Sequence, residues 1–460
     1  MTVAPGPIGT GPSFASLEPV VFTQKDTAAQ ARACVKIDGQ LYAIKSYRIS
    51  KNAHGATNGA SFKLPYPGNP DWTQQLFRDS SVQGAAGNRP VYAEIWAGFP
   101  PNPSMAPSID GLTRRFYGIV DTYDPQDMDE TEFMLRSIAA PLTTDRITTL
   151  VQNLTTVDFL RQIAAPYNIP VVVDPALTNP FTLAKIYAQE FVVGLKNLIK
   201  WDVLLRASLF DDVDVWEDDG TLYYVHPWNV QSVMASQAKS AGRNYGLLNL
   251  QYGTNVASFH PSHAPQFSRN IRVQVHSYTP KTRVSVTTRV QSVFGGVAVS
   301  QVSKVSTATP EWGTNSGTTT TYYNDGRPPT TSSFSSSGGS ASGSNTPISE
   351  SGLELYDLYL PNLTSPECQA WTQAIWRQIS QHEYSGDFRL AVTPDLLPYL
   401  NIENRFFLNG YSMHFFNTEY WPRTLDEEFE MAANPGETDA PGWTITSHAV
   451  NHTLPLGAGV

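Results

Sequence analysis

The stretch CVKIDGQLYAI (Cys34–Ile44) sets Val35 and Ile37 on alternate positions, turns at Asp38-Gly39, and resumes with Leu41 and Ile44. Alternation of period two sends successive side chains to opposite faces of a strand. An Asp-Gly pair between two such runs supplies the left-handed backbone that a two-residue hairpin requires. The pattern continues in YRIS, ASFKL, PVYAEIWAG (Pro90–Gly98), TRRFYGIVDTYD (Thr113–Asp124) and TEFMLRSIA (Thr131–Ala139). Short strands at this spacing, parted by Gly, Pro and Asn, predict a small antiparallel barrel. The pieces Pro65–Pro70 and Phe99–Gly111 read as surface loops, and residues 1–25, rich in Pro, Gly and Thr, as an extended arm that orders against a partner.

Residues 146–228 change character. TTVDFLRQIAAPYNI predicts a helix in which Thr155 caps, Asp158 follows in capping-box position, and Val157, Leu160, Ile163 and Ala164 share a face, with Pro166 ending it. NIPVVVD reads as a strand. Asn197–Phe210 reads as a second helix with Trp201, Leu204, Leu205 and Leu209 as its apolar stripe. Next comes DDVDVWEDD, six carboxylates in nine residues, followed by Gly220. Val213, Val215, Leu222 and Tyr224 flank a turn at Asp219-Gly220, so the run predicts a hairpin with Asp212 and Asp214 opposite the valines and Glu217 and Asp218 at a solvated tip. A glycosidase pair would need two carboxyls facing each other about 5–10 Å apart. A calcium loop would need regularly spaced oxygen ligands and a mid-loop glycine. The run has neither register.

Residues 241–305 return to strands, notably Arg269–Tyr278 and Thr282–Val293. Thr314–Ser349 is a Thr/Ser/Gly tract that reads as linker. Ser365–Tyr384 predicts a helix, and Phe388–Val392, Arg405–Gly410, Tyr411–Asn417 and Leu425–Ala432 predict strands. The plan is mainly β with an α/β insert: an arm at 1–25, a first barrel at 26–145, the insert at 146–240, and a second barrel at 241–460 interrupted by 314–349.

Other chemistry is thin. His260 and His263 lie in a Pro-containing loop, and His448 and His452 in a strand and tail, so neither pair predicts zinc. Cys34 and Cys368 form no disulfide framework and no metal spacing. The sequence shows no phosphate loop, nucleophile elbow or zinc-protease motif, and no catalytic, cofactor or metal residue is assigned. The aromatic cluster Met413–Trp421 reads as core or interface, with a sugar platform as the alternative. The net charge of −10 without a Lys/Arg block argues against specific nucleic-acid binding. No signal peptide and no membrane span are predicted. Charged residues are 16% of the chain, below the roughly 25% usual in soluble domains. Either partners cover much of the surface or Ser, Thr and Asn carry it.

In order, VKIDGQLYAIKSYRIS, VYAEIWAG, RRFYGIVDTYD, EFMLRSIAAPLTTDRI, LVQNLTTVDFLRQIAAPYNI, KWDVLLRASLFDDVDVWEDDGTLYYV and IRVQVHSY resemble the tail hub (baseplate hub) proteins of phages and contractile injection systems, the late-control-D-like group. Asp202, Leu204 and Leu205 match the group's W-D-x-L-L helix, and Gly220, Thr221, Leu222 and Tyr223 its D-G-T-L-[YF] hairpin. The resemblance covers roughly residues 30–300. It implies a homotrimer with two like barrels per chain, joining a six-fold tail tube or distal tube ring to a separate three-fold central spike. It further implies an axial channel for DNA and tape-measure protein, baseplate wedge neighbours, assembly in the host cytoplasm and residence in the virion tail. Two other readings stay open: a carboxylate-dependent cell-wall or polysaccharide hydrolase, and a carbohydrate-binding adhesin using Met413–Trp421.

Overall fold

The computed structural model describes residues 20–21, 31–53, 58–65, 90–100, 107–126, 130–150, 154–187, 194–237, 242–263, 270–281, 287–292, 298–303, 311–322, 330–336, 353–361, 364, 371, 384–410, 415–416, 418–430 and 443–451. After the short β1 (Val20–Val21) the chain lays down β2 (Arg32–Ile37), β3 (Gln40–Ala43), β4 (Ser46–Asn52), β5 (Gly59–Pro65), β6 (Tyr92–Gly98), β7 (Leu112–Gln126) and β8 (Glu130–Ser137). Asp38 and Gly39 take φ of +48° and +88°, the two-residue turn that the Asp-Gly pair predicts. The seven strands β2–β8 pair antiparallel in the order β4-β5-β8-β7-β6-β2-β3. Their inward phase (Val35, Ile37, Ile49, Phe62, Leu64, Ile95, Phe133 and Leu135) forms one buried core.

The middle of the chain is α1 (Ala140–Thr144), β9 (Arg146–Leu150), α2 (Thr156–Ala164), β10 (Val171–Val173), α3 (Leu183–Ile186), β11 (Gly194–Ile199), α4 (Lys200–Asp211), β12 (Asp214–Asp218), β13 (Thr221–Val225) and α5 (Val230–Ser236). Helix α2 starts as the sequence predicts: the Asp158 backbone N–H donates to Thr155 Oγ1 at 3.0 Å. Its Val157, Leu160, Ile163 and Ala164 are buried. Helix α4 begins three residues later than expected, because Asn197–Ile199 belong to β11, which pairs with β9. Its stripe also needs correction. Trp201 and Leu204 are buried and Leu205 partly so, but Leu209 is 41% exposed, and Val203, Ala207 and Phe210 complete the buried surface. The helix is packed on more than one side, so a single-face reading picks the wrong last residue.

The rest comprises β14 (Leu248–Gln251), β15 (Val256–His263), β16 (Asn270–Lys281), β17 (Thr287–Ser292), β18 (Ala298–Ser303), β19 (Glu311–Tyr322), β20 (Thr330–Ser336), β21 (Leu353–Pro361), β22 (Tyr384–Leu390), β23 (Phe406–Asn409), β24 (Thr418–Pro422), β25 (Thr424–Glu430) and β26 (Thr444–Asn451). The linker reading of 314–349 is overturned in part: β19 and β20 pair there, in a four-stranded sheet ordered β20-β19-β16-β21. Threonine is a good strand residue, and a run of it reads as low complexity only when its pairing partner is unknown. Of the helix expected at Ser365–Tyr384, only Trp371, which is helical and buried, and Tyr384, which opens β22, lie within the described residues. Of the strand expected at Tyr411–Asn417 only Phe415 and Phe416 lie within the described residues, in a turn and a bend, and β24 follows.

The two β regions are lobes of one sheet. Strand β25 pairs antiparallel with β4 over seven residues, from Thr424↔Asn52 to Glu430↔Ser46. The path runs β1-β14-β23-β24-β26-β25-β4-β5-β8-β7-β6-β2-β3, with β22 on β26 and β15 on β22. The mainly β plan with a helix-bearing insert thus stands. Among the described strands, hydrogen bonds do not close either lobe into a ring. No helix among the described residues is long and apolar enough to cross a membrane.

Candidate functional site

The acidic run is the feature on which an enzymatic reading depended, and the structure reverses its expected environment. The hairpin is formed as predicted: β12 and β13 pair from Asp214↔Val225 to Asp218↔Thr221, and Asp219 and Gly220 take φ of +52° and +80°. Yet its tip is buried. Glu217 is 3% exposed and Asp218 1%. The turn is pressed onto the first lobe, where a Cβ on Gly220 would collide with the Tyr117 ring.

Asp218 sits between two cations. Lys51 Nζ donates to Asp218 Oδ1 at 2.6 Å, and Arg243 Nη2 bonds Asp218 Oδ2. Arg114 forks onto Asp219 at 2.7 and 2.8 Å and also reaches Glu94 at 3.4 Å. Arg243 Nε donates to Asn401 Oδ1 at 2.9 Å, and its Nη2 lies 3.7 Å from Glu403. Asn58 Nδ2 donates to the Glu217 carbonyl at 2.5 Å. The hairpin therefore bonds to β4, to β7 and to the segment that leads into the second lobe.

Each carboxyl has its own state. Burial pushes Asp218 up, but Arg243 and Lys51 outweigh it and hold the group below its ordinary value. Burial and the Asp218 charge push Glu217 up to about 8. Burial and Asp218 likewise raise Glu403 to about 8. A hydrogen bond to the Asp218 carboxylate, which only a protonated Glu403 can donate, adds to that rise, while Glu403 Oε1 accepts from Trp216 Nε1 at 3.3 Å. With Glu217 and Glu403 neutral, Lys51, Arg114 and Arg243 balance Glu94, Asp218 and Asp219.

A second buried cluster lies along the β4–β25 junction. Arg115 Nε donates to both Glu427 oxygens at 2.9 and 3.1 Å. Its Nη2 donates to the Leu400 carbonyl at 2.8 Å. Tyr47 Oη donates to Glu427 Oε1 at 2.5 Å, and Trp443 Nε1 to the same oxygen at 2.9 Å. Burial raises the Glu427 carboxyl, and Arg115 more than offsets it, leaving the group below its ordinary value. Sequence reasoning assigned neither cluster, although a signal was present. Lys51 shares the inward phase of Tyr47 and Ile49, and Glu427 that of Leu425 and Phe429. Arg115 is the extra residue at a β-bulge between the pairs Ile95↔Phe116 and Trp96↔Arg114, and a bulge re-aims a side chain.

The remaining carboxylates of the run are structural. Asp211 accepts from the Phe181 N–H at 2.8 Å, from Tyr224 Oη at 2.7 Å and from Thr156 Oγ1. Asp212 ends α4 in the left-handed conformation, and Asp214 is half-buried. None of the six stands across an open cleft from another acid in the manner a glycosidase requires.

The histidine and aromatic candidates also resolve. His260 lies in β15, not in a loop, and is exposed; His448 Nδ1 lies 2.7 Å from Asp387 Oδ1. His452 is outside the described residues. Among the described residues no three His, Cys, Asp or Glu side chains group to hold a metal. In the aromatic cluster Tyr420 and Trp421 are buried, and Tyr420 packs with Phe259, Phe388 and Phe406. Trp421 is capped by the Arg405 guanidinium at 3.4 Å from the ring centroid. These two rings are core, so a sugar platform built on them is ruled out. Met413 and His414 lie outside the described residues.

No family model matches the chain, and no curated protein matches it. Solved structures resemble it. The tail protein from Neisseria meningitidis MC58 is 10% identical, the match covering 92% of this chain and 96% of that one, with a TM-score of 0.51. The 43 kDa tail protein of prophage MuSo2 from Shewanella oneidensis is 13% identical over 92% and 98% of the two chains, with a TM-score of 0.48. A type VI secretion component from E. coli, itself described as similar to bacteriophage T4 tail proteins, is 8% identical over 91% and 77%, with a TM-score of 0.42. The fold is shared with the Neisseria tail protein, in line with the resemblance read in the sequence.

Proposed function

We propose that the chain is a structural tail hub: a homotrimer that joins a six-fold tail tube or distal tube ring to a three-fold central spike around an axial channel for DNA and tape-measure protein. The observation that carries the proposal is the β25–β4 ladder. It makes two β lobes, the first antiparallel and the second mixed through the parallel β14–β23 pair, each with its own core, one continuous body. A trimer of such chains offers six β modules around an axis, which is what a three-fold to six-fold adapter needs. Closed rings arise from repeated heterologous contacts between like surfaces. The division into arm (1–25), first β domain (26–145), insert (146–240) and second β domain (241–460) belongs to the same proposal, as does residence in the virion tail beside wedge proteins.

The two ion clusters suit a part under load. They fasten the insert and both lobes to one another through charges that are costly to separate once buried. Fold alone does not fix function, so the reading rests on this arrangement together with the tail-protein fold.

Native mass spectrometry of the chain co-expressed with candidate spike and tube proteins tests the proposal. A trimer that binds a spike trimer is expected, with interfaces above the ~2,000 Å² at which obligate assemblies begin. DNA binding should be weak at all salt concentrations, because a chain of net charge −10 releases few counterions. A chain that stays monomeric beside every spike and tube partner, or that binds DNA tightly with a steep salt slope, overturns it.

A further inference from the structure

Beside the acidic turn lies a cleft of about 630 Å³ between the first lobe and the insert. Five tyrosines line it: Tyr92, Tyr117, Tyr167, Tyr223 and Tyr245. Tyr92 and Tyr117 stack at 6.0 Å between centroids, and Arg114 lies over Tyr117 at 5.3 Å. The charges at its wall, Arg114 and Asp219, already satisfy each other. Tyr167 is already engaged, its hydroxyl with Asp145 and Lys200, and Tyr223 is buried against Trp216, so the aromatic surface left to a ligand without net charge is that of the exposed Tyr92 with Tyr117 and Tyr245. Such grooves bind proline-rich chain in the polyproline II form, whose rings stack on aromatics and whose free carbonyls accept from hydroxyls.

The chain itself carries a segment of that chemistry. Residues 1–19, which precede the first described strand, read MTVAPGPIGTGPSFASLEP, with prolines at 5, 7, 12 and 19 and Glu18 as the one charged side chain. Strand β1 fixes where this segment enters. It pairs parallel to β14, Val20 with Leu248 and Val21 with Asn249. Leu248 is preceded by Leu247, Gly246 and Tyr245, and Tyr245 is a wall of the cleft. Three residues of extended chain span about 10 Å, so Val20, opposite Leu248, is a short reach from the cleft. Nineteen residues of polyproline II extend about 59 Å, more than enough to cross it.

We infer that the tyrosine cleft is the dock of the chain's own proline-rich segment, residues 1–19. Docking there would lay the segment across the first lobe and the insert, over the turn whose carboxylates hold them together. The inference stands apart from the hub reading, since it concerns one chain and needs no assembly.

The test uses the full chain with Ser13→Cys and Gln237→Cys, placing one thiol in the segment and one at the cleft wall. Under mild oxidation an internal disulfide at monomer mass is expected, at a rate at least tenfold above that of either single variant. Adding Pro5→Ala, Pro7→Ala and Pro12→Ala should slow that disulfide about tenfold. No internal disulfide, one whose rate ignores the prolines, or one that joins two chains overturns the inference. A second readout is chymotryptic cleavage after Phe14. It should quicken at least tenfold in the triple proline variant while thermal unfolding is unchanged, and an unaltered rate counts against docking.

Discussion

Glu403→Gln and Asp218→Asn make opposite predictions from neighbouring carboxyls. At pH 7 the structure has Glu403 mostly protonated, held at about 8 by burial and by Asp218, whereas Asp218 is ionised between Lys51 and Arg243. A glutamine side chain keeps the shape and a donor at this position. The folded value of Glu403 lies above the ordinary 4.5, so the stability tied to it is fully present below about pH 4.5 and is lost as pH rises toward about 8. The slope is about 1.4 kcal/mol per pH unit, and the full loss about 5 kcal/mol as an upper bound. At pH 7 the wild type has lost about 3 kcal/mol of this, a loss that the Glu403→Gln variant does not suffer. Glu403→Gln is therefore expected to be neutral to stabilising at pH 7, with the advantage shrinking as pH falls to 5. Asp218→Asn removes the anion from two buried cations and should cost about 3–5 kcal/mol. Urea unfolding followed by tryptophan fluorescence at half-unit steps from pH 5 to 8.5 reads both. A Glu403→Gln cost above about 2 kcal/mol at pH 7, or a difference from wild type that does not vary with pH, would refute the protonated assignment.

Other perturbations follow from the same packing. Arg115→Met strands Glu427 at the lobe junction and should cost about 3–5 kcal/mol in thermal or urea unfolding. Leu204→Ala should cost about 2–5 kcal/mol, since the side chain is wholly buried. The exposed Leu209→Ala should stay within about 0.5 kcal/mol, and equal costs for the two would show that α4 faces the other way. Gly118→Ala drives a methyl into the Arg136 carbonyl across the β7–β8 pair and into the Phe116 ring, so soluble yield and melting temperature should both fall; an unchanged melting temperature would contradict the register.

The hairpins were legible because their cause is local. Asp38-Gly39 and Asp219-Gly220 each carry turn, flanking alternation and pairing register within about ten residues, and both appear as read. The Thr155 cap was legible for the same reason. The α4 stripe failed at Leu209 because which sides of a helix are covered depends on elements far along the chain. The β4–β25 ladder joins residues more than 370 positions apart, and nothing in either strand names the other.

The acidic run shows most sharply where local reading stops. A carboxylate such as Asp218 stays ionised at a buried turn only if cations come to it, and by the turn rule alone solvent is the only partner in sight. Here Lys51 arrives from 167 positions away and Arg243 from 25. The sequence did hold a clue on the other side of the pair. A lysine on the inward phase of a clean alternation, as Lys51 follows Tyr47 and Ile49, has to find an anion or break the strand. The same reasoning applies to Glu427 between Leu425 and Phe429, whose cation is Arg115. Charges that violate strand phase are thus addressed to each other, and in this chain they sit where one module meets the next. A survey of strand phase for stray charges, made before any survey for catalytic acids, would have turned the reading of DDVDVWEDD from a solvated tip to a fastening point.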